Sequence, residues 1–121
     1  MYRFEELDVW KVSAGLCTDI YMALSGLRDY GFKDQITRSG LSIPSNIAEG
    51  YERESTKEVV RFLKYAKGSA GELRTQIYIG MKAGYIEKEK GMKWLEDVIR
   101  ISTMTSAMIK KFKNSNKDQK N

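Results

Sequence analysis

Residues 34–53 read DQITRSGLSIPSNIAEGYER, and the fold is read outward from this stretch. Ile36, Gly40, Ile43, Ile47 and Tyr51 recur at intervals of 4, 3, 4 and 4, the spacing of one helical face. Between them lie Ser39, Ser42, Ser45, Ala48 and Gly50, residues small enough to let a second helix approach closely. Pro44 is the only proline in the chain. It removes one backbone donor and its ring crowds the Gly40 carbonyl, so the spacing predicts a helix over 33–53 that kinks or restarts at Pro44. Ser42 or Ser45 is placed to cap a restarted helix or to bridge freed backbone groups.

Helical periodicity continues on both sides. Upstream, Leu7, Trp10, Ala14, Cys17, Tyr21 and Leu24 form one stripe, and Leu16, Ile20, Ala23 and Leu27 form a second beside it. A first helix over 4–27 follows, ended by Gly26 and Asp29-Tyr30-Gly31. Downstream, Ser55 with Glu58 reads as a capping box. It opens a third helix whose inward face is Val59, Phe62 or Leu63, Ala66, Ser69 or Ala70, Leu73, Ile77 and Gly80 or Met81, with Gly84 as its stop. Gly68, Gly71 and Gly80 inside that helix each cost about 1 kcal/mol against alanine, for which close helix contact is the expected compensation. A fourth helix over 88–113 carries Trp94, Val98, Ile101, Thr105, Met108 and Phe112 on one stripe and Leu95, Ile99, Ser102, Ser106 and Ile109 on another. No strand alternation and no internal repeat is present. Four helices with short connections imply an all-α, up-down-up-down four-helix bundle over 1–113. Residues 114–121 are polar and lysine-rich and are expected to be a disordered tail. The double stripes on the first and last helices leave apolar surface beyond the needs of one bundle, which points to a homo-oligomer.

The chain of 121 residues is 41% hydrophobic and 31% charged, ordinary for one globular domain. It has no run of about 18 apolar residues, so no membrane span is expected, and the N-terminus lacks the pattern of a secretion signal. A cytoplasmic location is the expectation. Net charge is +5. Most of it sits in the tail, where Lys110, Lys111, Lys113, Lys117 and Lys120 face a single Asp118, so the high isoelectric point of 9.3 describes a basic tail on a near-neutral body.

The chemistry of most enzymes is missing. There is no histidine and one cysteine, which excludes histidine triads, histidine metal sites, thiolate zinc and internal disulfides. Cys17 falls on an apolar face and reads as a buried structural thiol. No Walker-type glycine loop occurs. Carboxylate pairs such as Glu5-Glu6 and Glu52/Glu54 lie in charged helix-end contexts. The chain is read as a non-enzyme with no cofactor and no metal. Two polar sets remain. Arg38, Asn46, Glu49, Arg53 and Glu72 are read as a partly buried network fixing helix register, with Arg38 or Arg53 paired to Glu72 or Glu49 and Asn46 bonded to backbone near Pro44. The alternative for the same residues is a ligand or partner site at the seam of helices two and three. Lys57, Arg61 and Lys64 recur at i, i+4 and i+7, with Lys67 and Arg74 in a second row. Together with Lys110, Lys111 and Lys113 they are candidates for contacting nucleic-acid phosphates; the plainer alternative is a solvated face.

Ser42-Ile43-Pro44-Ser45-Asn46-Ile47-Ala48-Glu49-Gly50, preceded by Gln35 and Arg38 and followed by Arg53, resembles the central motif of a bacterial four-helix-bundle family. That family was first noticed as open reading frames in intervening sequences of 23S rRNA genes, and its members often carry a ribosomal-protein label. Phe4-Glu5-Glu6-Leu7-Asp8-Val9-Trp10-Lys11 and Gly68-Ser69-Ala70-Gly71-Glu72-Leu73 resemble its opening and its third-helix motif. Where members often have adjacent arginines and an alanine pair, this chain has Thr37-Arg38-Ser39-Gly40. The resemblance implies a ring, with five subunits in known relatives. It also implies kinship with the accessory variability determinants of diversity-generating retroelements, which form basic rings and work with a reverse transcriptase and its RNA. Two functions follow as expectations: a ring-shaped assembly binding RNA or DNA backbone, or a protein-interaction scaffold without a nucleic-acid role.

Overall fold

The computed structural model describes the backbone of residues 3–120 and the side chains of residues 3–115. A short 3-10 turn, Phe4–Glu6, precedes four helices: α1 Asp8–Ala23, α2 Tyr30–Tyr51, α3 Thr56–Lys82 and α4 Lys88–Lys120. Contacts join α1 to α2, α2 to α3, α3 to α4 and α4 back to α1, with none across the diagonals among the described residues. This is the closed square of an antiparallel four-helix bundle. No strand occurs among the described residues.

The core runs along the middle of the square. Ile20, Ile36, Ile43, Ile47, Leu63, Leu73, Ile77 and Ile101 are wholly buried, and Trp94 is nearly so. Each such side chain contributes about 1.5–3 kcal/mol by leaving water. The inward face of α1 differs from expectation. Val9, on neither predicted stripe, is only 2% exposed, whereas Tyr21 is 46% exposed. Val9, Leu16, Ile20 and Leu24 form the true core row. The Trp10–Ala14–Tyr21 row is rotated outward, because α1 must face α2 and α4 at once. The Trp94 indole donates to Asp19 Oδ2 at 2.7 Å and ties α4 to α1.

Helix boundaries follow their caps. Leu7 is extended (φ −74°, ψ 130°), so the expected 4–27 helix is split at its start, and α1 ends at Ala23. Asp29, expected to help end the first helix, instead starts the second: its Oδ1 accepts from the Phe32 amide at 3.0 Å. Ser55 caps α3 by accepting from the Glu58 amide at 3.1 Å, while the Glu58 carboxylate turns to Arg61 at 2.7 Å. At the far end of α3, Gly84 takes φ +79°. The Tyr85 amide donates to the Gly80 carbonyl and the Gly84 amide to that of Met81, a Schellman closure. That corner drops Ile86 onto Gly80, where a Cβ would collide with its side chain.

α2 runs without interruption through Pro44, so the helix does not restart there. α4 continues helically to Lys120, past the expected end at Lys113 and through most of the stretch expected to be a disordered tail; Asn121 lies outside the described residues. Lysine, glutamine and serine tolerate a helix, and nothing in residues 114–120 stops one, since no proline or glycine occurs there.

Candidate nucleic-acid interface at the α2–α3 corner

The quoted stretch builds the contact between α2 and α3. Gly50 is buried at the end of α2, and a Cβ there would lie 3.0 Å from Phe62 Cβ and 3.4 Å from the Val59 carbonyl oxygen. Its absence lets α3 close onto α2 and seats Phe62. Gly40 lies opposite Cys17 and Ile20 of α1, where a Cβ would find ordinary van der Waals contact at 3.8 Å. One turn before Gly50, Asn46 Nδ2 donates to the Ser42 carbonyl at 2.8 Å and to Ser42 Oγ at 2.9 Å. Ser42 Oγ meets Ser69 Oγ of α3 at 2.8 Å. This half-buried chain spans Pro44 and crosses between helices.

Of the rest of the expected polar network, the Arg53–Glu49 pairing forms, though at the surface, while Arg38 and Glu72 are placed differently. Arg38 reaches Asp34 at 2.9 Å with both side chains mostly in water. Glu49 pairs with Arg53, again at the surface. Glu72 is exposed and has no ion-pair partner among the described residues. Arg38 and Glu72 are therefore corrected from network members to surface residues: both lie on outward faces, where water solvates them better than a seam would. Ser69 is the member that sequence reasoning missed, and its short side chain gave no signal beyond smallness; Ser42 was singled out near Pro44, but not as a link to α3.

Lys57, Arg61, Lys64, Lys67 and Arg74 are all exposed on α3. Arg61 is partly neutralised by Glu58. Among the described residues, no carboxylate lies within ion-pair distance of Lys57, Lys64, Lys67 or Arg74. The three lysines of α4 separate. Lys113 is exposed, and the positive charge of Lys64 on α3 holds the Lys113 amine below the usual lysine range. Lys111 lies on the opposite flank, beside a groove of about 740 Å³ lined by Leu7, Val9, Tyr51, Met104, Met108 and Phe112. Lys110 is exposed.

Aromatic groups adjoin the basic face. The guanidinium carbons of Arg53 and Arg61 lie 4.8 and 5.3 Å from the Phe62 ring centre. Phe62 meets the Tyr65 ring edge-on at 5.5 Å, and Tyr65 is 50% exposed. Gly68 and Gly71 were expected to be compensated by close helix contact, yet a Cβ added at either would meet nothing within 4 Å. They leave the exposed α3 surface beyond Lys64 low and bare.

Other features are structural. Cys17 is buried, and burial pushes its thiol pKa up. Among the described residues no group of three or more Cys, Asp or Glu side chains is arranged to hold a metal ion. No described helix is long and apolar enough to cross a membrane.

A family model described as 23S rRNA-intervening sequence protein matches residues 5–107. Among solved structures, the chain is similar to a protein of unknown function from the S23 ribosomal protein family of Bacteroides thetaiotaomicron. The two share 25% identity and superpose with a TM-score of 0.79 over 84% of this chain and 98% of that one. No curated protein sequence matches the chain.

Proposed function

The chain belongs to the 23S rRNA-intervening sequence protein family, and on that premise we propose that it is a non-enzymatic bundle that binds nucleic-acid backbone through the outer face of α3 and the adjoining flank of α4. The observation that carries this reading is that Lys57, Lys64, Lys67 and Arg74 are exposed on α3 with no carboxylate within ion-pair distance among the described residues. Unneutralised cations along one helix face attract a polyanion. Arg61 continues the row, partly neutralised by Glu58. Such a face contacts phosphates and carries no base-edge code, so binding is weakly sequence-dependent and strongly salt-dependent.

The test is fluorescence anisotropy of labelled structured RNA and DNA with the intact chain, at low and physiological salt. Lys57→Glu/Arg61→Glu/Lys64→Glu is expected to abolish binding while the helical circular-dichroism spectrum is retained. Binding that survives the triple change, or that vanishes only when residues 114–121 are removed, sinks the proposal.

A scaffold role is the second reading, favoured by the α1–α2 surface. Phe4, Trp10, Ala14, Leu41, Pro44 and Ala48 line an open apolar groove there of about 320 Å³, and Leu41 is 49% exposed. We propose that a second copy of the chain covers this groove in a homo-oligomer, which would also repeat the basic face around the assembly.

A further inference from the structure

We propose that the hollow at the α1–α2 corner binds a small planar anion, a flat ring carrying a phosphate or a carboxylate, with the anionic group on Lys33 and the ring against Tyr21 and Tyr30. This goes beyond the nucleic-acid reading, and the hollow shares no residue with the basic face of α3.

Lys33 stands apart from the other cations. Among the residues whose side chains are described, every other lysine and arginine is exposed, and Lys33 alone is half-buried. No carboxylate lies within ion-pair distance of it among the described residues. Its ammonium donates to the Ser25 carbonyl at 3.1 Å and lies 5.5 Å from the centre of the Tyr30 ring. Both partners are neutral. An ammonium drawn partly out of water without a counter-charge is a costly arrangement. It has three N–H donors, and an anion arriving at those left free offsets that cost. The two contacts also fix where the charge stands, at the join between α1 and α2, so little side-chain freedom is lost when an anion binds.

The surroundings describe the rest of the ligand. With Tyr21, Ser25, Tyr30, Gly31 and Asp34, Lys33 lines a hollow of about 710 Å³, within the range of about 300–1,000 Å³ found for small-ligand sites. Asp34 is the one carboxylate of the lining, and Arg38 offsets it at 2.9 Å. Tyr21 is 46% exposed, and Tyr30 remains 70% exposed even with the ammonium beside it. Free aromatic faces at the edge of a hollow take a flat ring. A bare phosphate would use Lys33 and leave both tyrosines in water. A neutral ring would use the tyrosines and leave the ammonium without a counter-charge. A planar anion uses both.

Proton–nitrogen NMR titrations of the full chain with adenosine monophosphate, indole-3-acetate, adenosine and inorganic phosphate test this. Both planar anions are expected to move the amide signals of Ser25, Gly31 and Lys33, and to bind roughly tenfold more tightly than neutral adenosine or phosphate alone. Lys33→Gln is expected to weaken both planar anions by roughly tenfold, and Tyr21→Ala by roughly threefold. Tighter adenosine monophosphate assigns a phosphate, tighter indole-3-acetate a carboxylate, and equal affinities assign planar anions of either kind. If neither planar anion moves those three amides, or if adenosine or phosphate alone moves them as readily, the proposal is overturned, and Lys33 serves only to close the α1–α2 turn through Ser25. Adenosine monophosphate that moves only amides between Lys57 and Lys67 belongs to the α3 face and counts against the hollow. The α3 reading stands or falls by its own titration with RNA and DNA, so the two failures are distinguishable. The four wild-type titrations decide the matter even where Lys33→Gln loses its fold.

Discussion

At the scale of single residues, small side chains carry more than their size suggests. Asn46 braces the helix across Pro44 and hands a hydrogen bond to Ser42, which passes it to Ser69. Removing one partner leaves half-buried polar atoms unpaired. Asn46→Ala is therefore expected to cost about 1–2 kcal/mol in urea unfolding, against nearly nothing for Ser45→Ala on the exposed side of the same turn. Asp29 offers a pH handle. The Phe32 amide, and then the Tyr85 hydroxyl at 2.7 Å, hold its carboxyl below the usual aspartate range. A carboxyl depressed in the folded state stabilises above its unfolded pKa, near about 3.9, and that contribution is lost as pH falls through the lower folded value. The gap in thermal midpoint between wild type and Asp29→Ala is expected to be full at neutral pH and to narrow in acid below that window. A gap that does not change with pH would mean that the carboxylate charge contributes nothing.

At the scale of elements, the corners are set by what is missing. Gly80 leaves room for Ile86, and Gly50 for Phe62. Gly80→Ala is expected to destabilise by about 1–3 kcal/mol, because overpacking a closed corner forces its neighbours to shift. Ile86→Val in the same chain should recover part of that loss, which a double-mutant cycle would register as coupling. α4 divides into two parts. Up to Phe112 it packs on the bundle, with the Phe112 ring edge-on to Tyr51 at 6.0 Å. Lys113, Asn114 and Ser115 are exposed. Truncation after Ile109, which removes Phe112, is expected to lower the unfolding midpoint. Amide exchange at Asn114 and Ser115 should be faster than in 94–105 by orders of magnitude.

At the scale of the whole molecule, the bundle has a basic face on α3 and, among its apolar surfaces, a groove between α1 and α2. The two lie on different sides of the square, so one molecule can meet a like copy and a polyanion at once. Leu41→Asp is expected to lower the sedimentation coefficient of an oligomer without altering helical content. An unchanged coefficient would leave the apolar groove without a second copy to cover it.

The order and class of the elements were legible in the sequence because they depend on local chemistry. Spacing at 3 and 4 residues sets helices, Ser55 and Gly84 punctuate α3, and the single proline leaves long helices intact. Ile36, Ile43 and Ile47 point inward by spacing alone and are fully buried. The rotation of α1, which buries Val9 and exposes Tyr21, was not legible, since two adjacent stripes of similar hydrophobicity leave the facing angle undetermined until both neighbours are in place. The candidate site divides the same way. The row Lys57, Arg61, Lys64 follows from helical spacing alone. The stacking of Arg53, which follows α2, on Phe62 of α3 joins residues on either side of the α2–α3 turn. Only the antiparallel packing of α3 against α2 and α4 decides which side chains meet, because periodicity within a helix says which face a residue occupies and nothing about what stands opposite.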